Sequence, residues 1–292
     1  VVRAEDGFVV YAVSDPYRLP SLIFFTVLFI VLVVVFGGVQ GVRGLLSLVA
    51  SLWLIVYLLL PGIMEGFSPI LVSLGAASLI IILGSYVTHG FNKTTTIAVV
   101  GMVATIIITG FLAWAAVHFT HLTGLGDEEA VYLNFNTQGR IDFLGLLLGG
   151  ILIGLLGVLY DAAISQAIVV EELYRAAPHL GKTYIFKRAM RIGKEHIGAL
   201  VNNLAIAYVG SSMPLLLLYL TGPKQATGVI INQEIFATEI IRIMIGSIGL
   251  VLAVPITTYL SVMILVKKNT EVVSSELLFK EKQALEHAGH HH

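Results

Sequence analysis

Residues 143–170 read FLGLLLGGILIGLLGVLYDAAISQAIVV, and this stretch decides the fold class. It is 28 residues long, and Asp161 is its only charged side chain. About 20 predominantly apolar residues are enough for a helix to cross the hydrocarbon core of a bilayer, which is about 30 Å thick. The stretch therefore predicts a transmembrane helix that carries a single carboxylate.

Small residues precede Asp161 at helical spacing. At 100° per residue, one side of the helix carries Gly150, Gly154, Gly157, Asp161 and Ser165. Such glycines allow close helix packing. A charge at bilayer depth costs about 2.5 to 3.5 kcal/mol on insertion scales and usually faces the bundle interior. We therefore expect Asp161 to be buried against neighbouring helices, although a hydrated position at the cytoplasmic interface is an alternative.

Six further stretches are similarly apolar. The chain is 57% hydrophobic and only 12% charged, which excludes an ordinary soluble domain. The seven stretches are residues 21–39, 44–60, 70–87, 96–117, 143–168, 197–220 and 236–266. We predict an all-α polytopic membrane bundle of about seven transmembrane helices within residues 21–266.

The distribution of basic residues predicts the orientation. With the N-terminus outside, the cytoplasmic segments hold Arg43, Lys93, Arg175, Lys182, Lys187, Arg188, Arg191, Lys194, Lys267, Lys268, Lys280 and Lys282. The opposite side holds only Arg3, Arg18, Arg140 and Lys224. Cytoplasmic loops are enriched in Lys and Arg, so the C-terminus is expected in the cytoplasm.

The two ends are expected to lie outside the bundle. Residues 1–20 are interpreted as an extracytoplasmic segment, the remnant of an outer β domain. Residues 267–287 are a cytoplasmic tail, and residues 288–292 resemble the remnant of a purification tag. The chain has no cysteine, which excludes disulfides and thiol chemistry.

The predicted sixth and seventh helices also carry small-residue faces. That of the sixth helix comprises Ala199, Asn203, Ala207, Gly210 and Pro214, with Asn202 beside it. That of the seventh comprises Arg242, Gly246, Gly249, Ala253 and Thr257. Pro255 predicts a kink. We expect these faces to pack around Asp161, with the asparagines donating to its carboxylate, or else acting only as interhelical hydrogen bonds.

Charged segments have two further interpretations. Residues 171–195 alternate charged and apolar side chains, which is typical of an amphipathic helix on the inner membrane surface. Glu239 and Arg242 are spaced i to i+3 and are expected to pair locally.

Other chemistry finds little support. GLGD at residues 124–127 and the Tyr160–Asp161 pair match motifs of intramembrane aspartyl proteases, but their order is reversed and no PAL motif follows. His118 and His121 are weak candidates for an outward-facing metal site, and histidines that cap a helix end are the alternative. No phosphate loop, nucleophile elbow or nucleic-acid patch is present. We expect no enzyme activity, no cofactor and no nucleic-acid partner.

Three segments carry a family resemblance. Residues 149–172, 191–218 and 247–258 resemble the YibE/F family of multi-pass bacterial membrane proteins, as do Asp15, Tyr17 and Arg18 before the first helix. The resemblance covers nearly the whole chain. It implies a seven-helix integral protein of the bacterial cytoplasmic membrane, often with an outer β-rich domain before the first helix.

The order of polar features is also similar, more remotely, to one transmembrane half of SecD and SecF in the resistance-nodulation-division superfamily. There, an Asp-bearing helix precedes a charged segment, a polar helix and a small-residue helix. The chain departs from this pattern in having one carboxylate rather than a pair, two additional helices in front and no large outer domain between helices. The resemblance implies proton coupling.

These features together predict a proton-coupled secondary transporter or an export-assisting factor. The expected proton relay comprises Asp161, Ser165, Asn202 and Asn203, since burial among apolar helices favours the neutral form of a carboxylate. The alternatives are a non-transporting scaffold that docks a partner and a channel or carrier for a solute or metal. Expected partners are the lipid bilayer and either a second copy or a paired paralogous membrane protein.

Overall fold

The computed structural model describes residues 2–3, 9–10, 16–221 and 227–267. Two short strands, β1 (Val2–Arg3) and β2 (Val9–Val10), pair antiparallel. The helices are α1 (Leu19–Leu54), a π-helical segment (Ile55–Leu59), α2 (Leu60–Met64), α3 (Pro69–His89), α4 (Lys93–Phe119), α5 (Glu128–Asn136), α6 (Phe143–Ala176), α7 (Lys182–Ser211), α8 (Met213–Thr221), α9 (Thr227–Ile231) and α10 (Glu234–Leu265). The expected tail and tag lie outside the described residues, except for Lys267.

Local sequence explains several helix ends. The Asn92 side chain caps α4 by accepting a hydrogen bond from the Thr95 amide at 2.7 Å. Asp142 caps α6 in the same way through the Gly145 amide at 3.0 Å. Gly90 follows α3 with a φ of 76°, a backbone conformation that favours glycine. These local features explain where α3 ends and where α4 and α6 begin.

A sharp bend divides α1. Gly38 has a φ of 54° and a ψ of −139° inside the helix. A Cβ atom at Gly41 would overlap the carbonyl oxygen of Val33. Eight residues of continuous helix would place these two positions about 12 Å apart. The chain therefore turns back on itself at Gly38.

Helices α4, α6 and α10 form the centre of the bundle, and α3 and α7 pack on them. The main buried cluster includes Met102, Ile106, Leu155, Leu159 and Leu250. Glycines permit the close approach of α4 and α10. A Cβ atom at Gly249 would lie 2.6 Å from Thr109 Oγ1, and one at Gly101 would lie 2.7 Å from Thr257 Oγ1. This packing buries the predicted small-residue face of α10.

The segment at residues 171–195 does not form one separate helix, which corrects that part of the prediction. Its first part continues α6 to Ala176, and its last part belongs to α7, which begins at Lys182. Ile185 and Ala189 are buried against Val170 and Val262. Apolar side chains of the segment thus pack against α6 and α10.

In the described residues, five helical segments are long and apolar enough to cross a membrane, or six if the bent pair α7 and α8 forms one span. One end of the bundle, which we call the basic end, carries Lys93, Arg175 and Lys182 at helix ends and Lys267 after α10. The other, acidic end carries Asp127, Glu128, Glu129 and Glu234. Pro255 lies inside α10, and the helix continues through it.

Candidate functional site

A polar cavity of about 500 Å³ opens at the basic end. It lies between the α3–α4 loop, α6 and the end of α10. Its polar lining comprises His89, Asn92, Lys93, Thr94, Thr95, Glu171 and Arg175. Ile164, Ile168 and Leu265 complete it. Charged side chains of both signs therefore line this cavity.

Ion pairing holds Glu171 in place within the polar cavity. Its carboxylate accepts a hydrogen bond from the Thr94 hydroxyl and pairs with Arg175 at 2.6 Å. Arg175 also reaches Glu172 at 3.4 Å. The negative charge of Glu171 is therefore compensated within the cavity wall.

Thr95 also lies in that wall. The residue is only 3% exposed, and its backbone amide donates to the Asn92 side chain that caps α4.

Asp161 lies one turn from this cavity, and it is exposed rather than buried. It precedes Ile164 on α6, and its carboxylate interacts electrostatically with His89 of α3. The predicted burial of Asp161 is therefore corrected, because the residue is exposed on one side of α6. The physical reason is that α3 and α7 pack on the two sides of α6 and leave this face open.

The remaining glycine stripe also lies on the open face. Gly150, Gly154, Gly157 and Ser165 are exposed, and a Cβ atom at Gly150 or Gly157 would meet nothing within 4 Å. Gly154 is the exception, since a Cβ atom there would overlap the Tyr208 hydroxyl. Helix packing thus uses Gly154, while Gly150 and Gly157 face free space.

The predicted inner face of α7 is wrong by about one residue of helical rotation. Asn202, Asn203, Ala207 and Gly210 are exposed, and within the described residues neither asparagine hydrogen-bonds to Asp161. The residues of this helix that face the bundle include Gly193, Leu204 and Tyr208. Leu204 packs where Gly246 of α10 lacks a side chain, and Tyr208 does so at Gly154. Large side chains seated over glycines decide the rotation of α7.

A second, apolar cavity of about 420 Å³ lies beside Tyr160. Its walls come from the second half of α1, from α3 and from α6. Its apolar lining includes Leu48, Leu52, Ile80, Ile81, Ile153 and Leu156. Thr88 and Tyr160 lie at one end, where the Tyr160 hydroxyl donates to the Gly84 carbonyl oxygen at 3.2 Å.

The Asp161–His89 pair lies between the two cavities. Thr88 and Tyr160 line the apolar cavity, whereas the next residue His89 and Ile164 line the polar one. Sequence reasoning missed His89, Lys93, Thr95, Glu171 and Tyr160. One signal was available, because His89 and Lys93 flank the glycine and asparagine that end one helix and start the next.

Other candidates remain apart from this region. The His118 ring contacts the Trp114 carbonyl at 2.8 Å, and His121 follows α4 with a φ of 54°. No group of three metal-ligating side chains occurs among the described residues. Glu239 and Arg242 pair at 2.6 Å near the acidic end, as their spacing predicted.

Comparison with known proteins gives one match. A family model described as YibE/F-like protein matches residues 25–267, which is most of the chain. Neither the curated proteins nor the solved structures contain a match.

Proposed function

The chain belongs to the YibE/F-like family, and from this membership and its apolar helices we propose a proton-coupled secondary transporter of the bacterial cytoplasmic membrane. In this proposal Asp161 and His89 form the proton site. The observation that carries it is their position between a polar and an apolar cavity.

The proposal includes a seven-pass topology. Residues 19–64 would form a helix about 69 Å long if they were straight, more than twice the thickness of the hydrocarbon core. The turn at Gly38 allows two passes instead. Counting α7 and α8 as one bent span then gives seven. The basic end is assigned to the cytoplasm because Lys and Arg are enriched there.

Exposure of Asp161 suits a proton site in such a bundle. A carboxylate at membrane depth is costly unless water, a partner or a ligand reaches it. The neighbouring polar cavity offers water a route from the basic end. Ionised Asp161 attracts His89 when the imidazole is protonated, and protonation of the carboxylate removes this attraction.

This electrostatic change provides a coupling mechanism. Asp161 belongs to α6, and His89 is the last residue of α3. When His89 is protonated, its attraction to ionised Asp161 adds to the packing of α3 on α6, so protonation of Asp161 weakens the association of the two helices and makes their separation easier. Since Thr88 and His89 stand between the two cavities, such a movement would join them. A substrate that binds one arrangement better would shift the equilibrium accordingly.

Proton-jump currents on a solid-supported membrane test the proposal. The purified protein is compared with Asp161→Asn and His89→Gln at matched reconstitution. The control is Glu172→Gln, which removes an exposed carboxylate from the same helix. We expect the current to disappear in Asp161→Asn, to fall in His89→Gln and to persist in the control. Absence of current in all four proteins, or an unchanged current in Asp161→Asn, would overturn the proposal.

A further inference from the structure

A third cavity, of about 140 Å³, lies at the acidic end, and we call it the acidic-end cavity. Its walls come from residues 124–127 in the loop after α4, from the first turns of α5 and α6, and from the first half of α10. A water molecule occupies about 30 Å³ in the liquid, so the cavity holds about five non-hydrogen atoms. Only a very small molecule fits such a space.

The loop that forms one wall of the acidic-end cavity is held firmly. At the start of α10, the Glu234 carboxylate accepts hydrogen bonds from the backbone amides of Thr123 and Gly124 at 2.7 and 2.9 Å. Gly124 has a φ of 79°, and a Cβ atom there would overlap the carbonyl oxygen of Phe143 on α6. Because the loop is tied to α10 and packed on α6, the wall is already formed before a ligand binds, which lowers the cost of binding.

The Thr238 side chain supplies an unpaired hydroxyl to this cavity. Thr238 is 4% exposed, and its hydroxyl oxygen has no hydrogen-bond partner among the described residues. Thr109 and Thr257 are also unpaired, but each packs against a glycine of the facing helix, whereas Thr238 lines the cavity. Buried hydroxyls are normally paired, so a molecule in the cavity is the partner that remains for Thr238.

Arg242 contributes a positive charge to the same wall. It lies one turn beyond Thr238 on α10, and its side chain is 25% exposed. Its hydrogen bond to Glu239 uses Nη1, at 2.6 Å. A guanidinium carries several further N–H donors in a planar fork, so Arg242 can bind a carboxylate in the cavity while it stays paired with Glu239.

Asp127 brings a negative charge to the cavity from the loop. It occupies the position before the first residue of α5, where an aspartate commonly caps the helix, yet its side chain makes no capping hydrogen bond. Within the described residues, it forms no ion pair with Arg242 or with any other side chain. The carboxylate of Asp127 can therefore bind a cationic group.

From this arrangement we propose that the acidic-end cavity binds a small α-amino acid as its zwitterion, of the size of glycine or alanine. The carboxylate of the ligand binds at Arg242 and Thr238, and its ammonium group binds at Asp127. A simple anion would be repelled by Asp127, and a simple cation would be repelled by Arg242. The inference names a substrate class for the transporter proposed above and rests on that function only in calling the ligand a substrate.

Equilibrium binding tests the site without any proton gradient. The full protein is purified in detergent, and the binding of tritiated glycine and tritiated alanine is measured by scintillation proximity. We expect saturable binding of both. Propionate lacks the ammonium group of alanine and ethylamine lacks its carboxylate, so each should compete at least about tenfold more weakly than alanine, the effect of losing one charged contact. Leucine exceeds the cavity volume and should not compete.

Glycine substitutions on α6 provide matched variants. Gly150 lines the acidic-end cavity, and its Cβ position has no neighbour within 4 Å, so Gly150→Leu places a side chain inside the cavity. This variant should bind alanine at least about tenfold more weakly, because the cavity has no room for both groups. Gly157→Leu is equally open but lines the apolar cavity, and it should bind alanine like the wild type.

Two further variants test the polar contacts. Thr238→Val should weaken alanine binding, whereas Thr238→Ser, which keeps the hydroxyl, should retain it. Asp127→Asn should weaken the binding of alanine at least about tenfold but leave competition by propionate unchanged, since propionate has no ammonium group. A purely structural role of Asp127 would change both to the same extent.

Three outcomes would overturn the inference. Absence of saturable binding of either amino acid up to about 10 mM would mean that the cavity holds only water. Equal binding by the wild type and Gly150→Leu would place the ligand elsewhere. Competition by propionate or ethylamine as strong as that by alanine would exclude recognition of a zwitterion. Loss of proton currents with amino-acid binding intact would instead refute only the transport function, so the two failures are distinguishable.

Discussion

Gln166 Nε2 donates a hydrogen bond to Thr258 Oγ1 at 2.7 Å, deep in the bundle between α6 and α10. The same nitrogen donates to the Ala189 carbonyl oxygen of α7 at 2.9 Å. Gln166 is 3% exposed, so a single amide joins three helices in the apolar core. Buried polar groups in a membrane protein are usually paired in this way.

Loss of this amide should destabilise the bundle measurably. Gln166→Leu and Thr258→Val should each reduce the free energy of unfolding by about 0.6 to 1.7 kcal/mol, the range for interhelical hydrogen bonds in membranes. Because the two substitutions remove the same hydrogen bond, the double variant should lose less free energy of unfolding than the sum of the two single variants. Detergent-induced unfolding followed by circular dichroism measures this cycle, and strict additivity would contradict the bond.

Close packing at Gly249 makes a second prediction. A Cβ atom there would lie 2.6 Å from Thr109 Oγ1 and 2.8 Å from Leu155 Cδ2. Gly249→Ala should therefore reduce the free energy of unfolding by about 1 to 3 kcal/mol through overpacking. Gly150→Ala is the control, since its added methyl group meets nothing within 4 Å. Thermal unfolding of both variants decides the matter, and equal midpoints would count against the packing of α4 on α10.

The ion pair near the acidic end predicts a third result. Side-chain exposure is 15% for Glu239 and 25% for Arg242, and Ser212 also donates to Glu239 at 3.1 Å. Glu239→Gln leaves Arg242 without its counter-charge and should cost about 1 to 3 kcal/mol, less than for a fully buried pair. A combined Glu239→Gln and Arg242→Gln variant should be more stable than Glu239→Gln alone. Unfolding measurements in which the double variant is the least stable would exclude this explanation.

The turn at Gly38 predicts the side of the membrane on which Tyr17 lies. With two passes before residue 64, Tyr17 and Phe91 are on opposite sides; with one pass, they are on the same side. The chain lacks cysteine, so Tyr17→Cys and Phe91→Cys each introduce a single thiol at an exposed position. We expect an impermeant maleimide to label Tyr17→Cys in intact cells and Phe91→Cys only after permeabilisation. Labelling of both in intact cells, or of neither, would contradict seven passes.

Periodicity correctly predicted the buried face of α10, because the small residues of this helix lie on the face that another helix approaches closely. Gly246, Gly249, Ala253 and Thr257 are all buried. The same reasoning failed for α7. Its small residues lie on the exposed face, and the face that packs against the bundle carries Leu204 and Tyr208. Glycine on the partner helix can accept a large side chain, so small residues on one helix do not identify its own inner face. Periodicity alone cannot show which of two contacting helices contributes the glycine that makes room for a large side chain.

The sequence by itself determined the membrane class, the apolar helices and the family, because these depend on composition and on the local order of residues. Only the tertiary structure decided that Asp161 lies on an open face and that His89 lies near it, since these residues are far apart in the chain. The same holds for the two cavities, whose walls combine three or more segments. Their shape depends on helix rotation and on contacts between distant side chains, and local periodicity encodes neither.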